Sequence, residues 1–178
     1  MISSGAPLTL APKHDNPALS TAQDFDYSDE LKQERCPYAA HIRKSNPRNG
    51  IQGADPQKTT LPHLMIRIRY PTRTIENRGL LFVAYQSDIV AGFQFVQKAW
   101  CNNPSFPPQT ALNVSAGLDL LIGQHSDGSP RTAQKHYTIG GNTDPRNTVT
   151  AFQPFVVPLG GEYFLMPSIK AINEKLGL

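Results

Sequence analysis

The chain has 178 residues, 39% of them hydrophobic and 17% charged, which fits one soluble globular domain with a real core and not a disordered chain. Its 17 Lys and Arg against 14 Asp and Glu leave a formal charge of +3, too small a surplus for a nucleic-acid binder, which concentrates basic residues in a patch. Thirteen Gly and 16 Pro argue against a bundle of long helices, no apolar run approaches the roughly 20 residues a membrane helix needs, and two cysteines, Cys36 and Cys101, cannot build a disulfide scaffold.

Residues 1–35 carry Pro7, Pro12 and Pro17, an acidic run from Asp24 to Glu30 and no sustained period, so they read as an irregular arm over the surface. The first residues have neither the basic nor the apolar stretch of a signal peptide, and they begin as if within a loop. Pro37 reads as the first residue of a short helix, because its ring presets φ and its missing N–H is not needed there. That helix carries Tyr38, Ala39, Ala40, His41 and Ile42, ends in Arg43 and Lys44, and stops before Pro47. Asn-Pro, Asn-Gly and Asp-Pro pairs make 46–62 a loop.

Two strands with period two follow, over 63–72 and 79–86. The second is apolar on both faces, which predicts a central, buried strand. Ser87 or Asp88 then caps a helix with the stripe Ile89, Phe93, Val96 and Trp100. From 102 to 147 the chain is loop-like apart from Leu118 to Ile122, and the sequon Asn113-Val114-Ser115 carries weight only in a secreted protein. A second strand pair is expected at 151–157 and 162–166, joined by Pro158-Leu159-Gly160-Gly161, before a last helix capped by Ser168 and stopped by Gly177. Two strand–strand–helix runs without a repeat argue an α+β fold with an antiparallel sheet.

His41 is the first residue with chemical promise. Ala39 and Ala40 beside it let a flat group approach, and Arg43, Lys44 and Arg48 follow where they could meet carboxylates at a rim. One imidazole, apolar walls and a cationic rim suit a haem with two propionates. A basic helix end complementing its own dipole explains the cations equally well. His14, His63, His125 and His136 are not at metal-ligand spacings.

Arg35-Cys36-Pro37-Tyr38-Ala39-Ala40-His41-Ile42-Arg43-Lys44-Ser45-Asn46-Pro47-Arg48 closely resembles the proximal-histidine segment of fungal dye-decolorizing peroxidases. Gly79 to Ser87 and Gly92 to Lys98 are similar to the strand and helix that follow it in that family, and Gly160 to Phe164 with Pro167-Ser168 is similar to its C-terminal end. Ser4 to Pro7 and Asp24 to Asp26 fit the stretch before the histidine, so the resemblance covers nearly the whole chain.

The resemblance implies the second half of a fold made of two ferredoxin-like units, an antiparallel sheet with helices on one face, holding haem b. It divides the chain into a connecting arm, 1–35, and a haem-binding unit, 36–178. His41 matches the axial ligand of the iron. Asp119, in Gly117-Leu118-Asp119-Leu120, matches the carboxylate that holds the other ring nitrogen and raises its basicity, although the family has proline where Leu120 stands. Arg67 matches the distal arginine that would stabilise charge on the outer peroxide oxygen. Ile68 and Arg69 depart from the family's arginine and glycine, the segment 72–77 is shorter than expected, and Arg69 on the same face is the alternative to Arg67. Ile42, Arg43, Lys44 and Arg48 are the expected cofactor contacts, with Leu80 and Phe82 roofing the distal side. Trp100 is a candidate electron relay. A loop carboxylate in water is the other reading of Asp119, and core packing is the other reading of Leu80, Phe82 and Trp100.

The expected activity is therefore haem-dependent oxidation of dyes and phenols by hydrogen peroxide, with aromatic reductants and no nucleic acid or membrane as partners. The family's Gly-x-x-Asp-Gly motif, which supplies the distal proton-transfer carboxylate, has only Gly141-Asn142-Thr143-Asp144-Pro145 to set against it. The alternative is a non-catalytic haem-binding remnant or fragment whose N-terminal half is missing. Family members are often secreted, whereas this chain shows no export signal.

Overall fold

The computed structural model describes residues 4–30, 33, 35–73, 78–108, 115–134 and 148–176. Among its described residues the arm is irregular apart from one 3-10 turn, Pro17–Leu19, started by the Asn16 side chain accepting from the Ala18 amide at 3.2 Å. It does more than cross the surface. Tyr27 is wholly buried and packs with Phe25 and Cys36, the two rings meeting edge to face at 5.9 Å. The Tyr27 amide donates to the Arg48 carbonyl at 3.1 Å, which ties the arm to the chain just beyond the histidine helix.

That helix, α1, spans His41–Ser45, shorter at its start than the sequence suggests. Pro37 instead opens a tight turn closed by the Ala40 amide on the Pro37 carbonyl at 3.1 Å. The Ala40 carbonyl then accepts from the Arg43 and Lys44 amides, each at 2.9 Å, so His41 is the first helical residue. The expected loop at 46–62 contains a second helix, α2, Pro56–Thr59. Its signal was Asp55-Pro56: the aspartate accepts from the Gln57 amide at 3.0 Å, and proline occupies the first turn, where no N–H is needed.

Strands β1 (Ile66–Arg73) and β2 (Arg78–Tyr85) form an antiparallel ribbon in which Arg67 faces Ala84, Arg69 faces Phe82 and Pro71 faces Leu80. The prediction of a buried β2 fails in this chain: Leu80, Leu81 and Phe82 are 60%, 54% and 47% exposed. Two strands alone cannot cover an element that is apolar on both faces. After β2, the chain winds in wide π-helical turns, Val90–Gln94 and Val96–Cys101, with amides bonded five residues back from Gln94 to Ile89 and from Asn102 to Gln97. The Asp88 carboxylate starts this segment by accepting from the Ala91 amide at 2.9 Å. Its stripe buries Val96 and Trp100 with Cys101 and Phe106, and Met65 and Ile122 pack against that cluster. Ile89, expected on the same stripe, stays exposed.

The second ribbon differs from expectation. β3 (Arg131–Gln134) pairs with β4 (Thr148–Ala151) in antiparallel register, Arg131 opposite Ala151, and 162–166 is not paired with 151–157. Period-two alternation marks extended backbone without naming its partner. Residues 152–168 instead lie outside any helix or strand and are largely exposed, Leu159 at 96% and Leu165 at 92%. The chain ends in α3 (Ile169–Ala171), capped by Ser168 accepting from the Ala171 amide at 3.2 Å and continued by the π-helical turn Ile172–Leu176. The sequon asparagine, the Gly141–Pro145 segment, the shortened 74–77 connection and Gly177 lie outside the described residues. No described helix is long and apolar enough to cross a membrane.

Candidate functional site

His41 opens α1, and its ring is a third exposed, whereas the Asp119 side chain is wholly buried. The His41 Nδ1 lies 2.7 Å from Asp119 Oδ2. Asp119 is seated by four further bonds. Oδ1 accepts from the Leu121 and Ile122 amides at 2.8 and 3.1 Å, the Asp119 amide donates to the Cys101 carbonyl at 3.0 Å, and the Asp119 carbonyl accepts from Gly123 at 2.8 Å. Gly117 makes this loop possible: its φ is +85°, and a Cβ there would stand 2.4 Å from the Thr132 carbonyl oxygen of β3.

Burial alone would raise the Asp119 pKa, but the His41 N–H and charge together with the Ile122 and Leu121 amides outweigh it and hold the carboxyl below its ordinary 3.8. Asp119 is therefore a carboxylate at neutral pH, and an acceptor only. The proton of a neutral His41 is thus on Nδ1, which leaves the Nε2 lone pair, with no protein partner among the described residues, directed outward. Such an imidazole is a one-point donor for a metal whose other ligands come from elsewhere. No three His, Cys, Asp or Glu side chains gather into a metal cluster among the described residues. An imidazole with an open Nε2 beside the exposed Ile42 fits the single axial donor a haem requires.

The cations following His41 do not stand at a rim. Arg43 is wholly buried, its guanidinium between the Tyr27 and Tyr38 rings at 4.6 and 4.3 Å. It donates to the Glu30 carboxylate, to the Cys36 carbonyl at 2.7 Å and to the Glu30 carbonyl at 2.6 Å. Lys44 is equally buried, with Nζ on the Trp100 and Asn103 carbonyls at 3.1 and 2.7 Å. Arg48 lies over the Phe25 ring at 4.1 Å and donates to the Gln23 and Phe25 carbonyls at 2.6 and 3.1 Å. A short helix on the arm and the Trp100 segment turns two of its last residues inward, which the sequence alone does not reveal.

Arg67 is exposed, and the register puts it on the same ribbon face as Phe82 and Leu80, as cross-strand neighbours share a face. Burial and the charge of Asp119 push the Cys101 thiol up to about 12, against the opposing charges of Lys44 and Arg67. The Arg69 side chain lies outside the described ones. Trp100 is 2% exposed, stacked on Phe106 at 5.2 Å and edge-on to Phe95 at 5.6 Å. His63, without promise in the sequence, stacks on Phe95 at 3.5 Å with its Nδ1 2.6 Å from the Ala91 carbonyl oxygen, so it serves the core.

A buried carboxylate orienting a part-exposed histidine is chemically suited to a single axial donor. No family model matches the chain. The dye-decolorizing peroxidase msp1 of Mycetinis scorodonius is 37% identical over 98% of this chain and 37% of its own length. The structure of an ancestral D-type dye-decolorizing peroxidase superposes with a TM-score of 0.80 at 39% identity, covering 97% of this chain and 41% of that one. A dye-decolorizing peroxidase in complex with 2,6-dimethoxyphenol gives 0.77 at 38% identity, over 98% and 40%. The chain belongs to the dye-decolorizing peroxidase family, whose ferredoxin-like α+β class it shares, and it spans about two fifths of the length of these relatives. Membership implies haem binding.

Proposed function

We propose that this chain is the C-terminal, haem b-binding portion of a peroxidase that oxidises dyes and phenolic compounds with hydrogen peroxide, with 36–178 as the binding unit and 1–35 as its connecting arm. The observation that carries the reading is the 2.7 Å contact between His41 Nδ1 and Asp119 Oδ2, which leaves Nε2 free to ligate iron. Haem bound there would supply the redox chemistry that couples two-electron reduction of hydrogen peroxide to water with oxidation of aromatic donors. Asp119 keeps the proton on Nδ1 and strengthens the Nε2 donor. Ile42 gives the ring an apolar neighbour, and Leu80 and Phe82 form an apolar wall on the ribbon face that carries Arg67. The exposed Arg67 guanidinium offers a cation to the charge that builds on peroxide. Trp100, whose carbonyl accepts from Lys44 on the histidine helix, is the residue suited to pass an electron. The solved relative bound to 2,6-dimethoxyphenol supports phenols as the donor class.

A haem-binding unit without turnover is the second reading. It is favoured by the open ribbon face and by Ile68 and Arg69, where the resembling family has arginine and glycine. Haemin titration of the chain and of His41→Ala, followed by peroxide-driven oxidation of 2,6-dimethoxyphenol, tests both. A saturable spectrum lost in the variant, with turnover well above free haemin, is the expected result. Binding with turnover equal to free haemin selects the second reading, and a spectrum unchanged in His41→Ala removes His41 as the ligand and overturns the first.

A further inference from the structure

Lys44 is three residues beyond His41 on α1, a spacing that puts both side chains on one helix face. It is wholly buried, and no carboxylate pairs with it among the described residues. Its ammonium instead donates to the Trp100 and Asn103 carbonyls, where the π-helical segment ends. Burying an ammonium on two neutral carbonyls is expensive, and an apolar side chain would fill the same space at less cost. Between those two carbonyls in sequence stands Cys101, whose own carbonyl accepts the Asp119 amide at 3.0 Å.

We propose that Lys44 is a positioning residue for the His41 imidazole, clamping residues 100–103 to α1 and so fixing, through the Cys101 carbonyl, the loop from which Asp119 reaches Nδ1. The contacts form a closed circuit. One turn of α1 makes two grips, by His41 on Asp119 and by Lys44 on the carbonyls beside Cys101. A single imidazole–carboxylate contact leaves the ring free to swing about it, and the second grip removes that freedom. The charge belongs to the same design: burial pushes the Lys44 pKa down while the Asp119 carboxylate holds it up, for a net value of about 8, so the cation feels the carboxylate it positions. The consequence for haem rests on His41 being the axial ligand, whereas the clamp itself does not.

The test uses the full chain without haemin. Amide hydrogen exchange at Asp119 and the 15N shifts of the His41 ring are compared in the wild type, Lys44→Met and Lys44→Arg. The expected result is a loss of Asp119 protection of tenfold or more in Lys44→Met, a shift of His41 away from the Nδ1-protonated form, unchanged protection across β1 and β2, and recovery in Lys44→Arg. Unchanged Asp119 protection and an unchanged His41 tautomer in Lys44→Met overturn the proposal. So does an equal loss of protection across β1 and β2, because Lys44 then acts only on global stability. Should Lys44→Met not fold, Lys44→Gln, which retains a single donating group, is read by the same two measurements. Haemin titration separates the two levels: a wild-type chain that holds the tautomer and binds no haemin overturns the axial-ligand reading and leaves the clamp standing.

Discussion

His41 and Asp119 are 78 residues apart in the chain, and their side chains meet at 2.7 Å. The contact joins a half-open ring to a wholly buried carboxylate, so the acceptor is shielded from water while the donor faces it. Asp119 is held by its loop before His41 arrives, since the Leu121, Ile122 and Gly123 amides and the Cys101 carbonyl already fix its position.

Asp119→Asn keeps the size of the side chain and removes its charge. The amide can still meet His41, but it no longer favours a proton on Nδ1. Haemin affinity is expected to fall about 10–100-fold, the usual effect of losing an outer partner of a metal-ligating histidine. Titration by absorption spectroscopy measures this, and an affinity equal to wild type removes Asp119 from the account.

Arg43→Met leaves the buried Glu30 carboxylate without its cation, so a cost of about 3–5 kcal/mol is expected. The arm should loosen first, because Arg43 is bonded to both the Glu30 carboxylate and the Glu30 carbonyl. Urea unfolding gives the size of the loss, and limited proteolysis shows whether cleavage begins before residue 36.

Stability should rise with pH above about 8 through Lys44. Its pKa is about 8 when folded and 10.5 as the ordinary value, so between these the unfolded chain binds more protons and the slope of stability against pH is positive. The burial penalty is fully present below pH 8 and gone above the ordinary value, a change of up to about 3 kcal/mol. Comparing urea unfolding of wild type and Lys44→Met at pH 7.5 and pH 10 isolates it: the wild type should gain on the variant.

Trp100→Phe preserves an aromatic ring against Phe106 and Phe95 and removes the more readily oxidised indole. Haemin binding should be retained while dye oxidation falls. Equal loss of both assigns Trp100 to packing alone.

The His41 segment was legible because its residues stand together in one continuous motif, and β1 and β2 because a period of two survives any packing. Asp119 was legible only through the resemblance, since a lone aspartate in an apolar stretch carries no local pattern that distinguishes a ligand's partner from a loop carboxylate. The inward turn of Arg43 and Lys44 left no mark at all. Lysine and arginine after a histidine look the same whether the helix end meets water or the side of a neighbouring segment.

By itself, then, the sequence determined some local elements and their chemistry: the caps at Asp88 and Ser168, the two strands of the first ribbon, and a histidine among small residues. Each depends on bonds within a few residues or on an alternation written into the chain. Tertiary structure decided which cations are buried, that β4 pairs with β3, and that Asp119 meets His41. Those outcomes depend on which distant segments share a surface, where the desolvation of a charge and the geometry of a loop are settled together and no short window of sequence records the result.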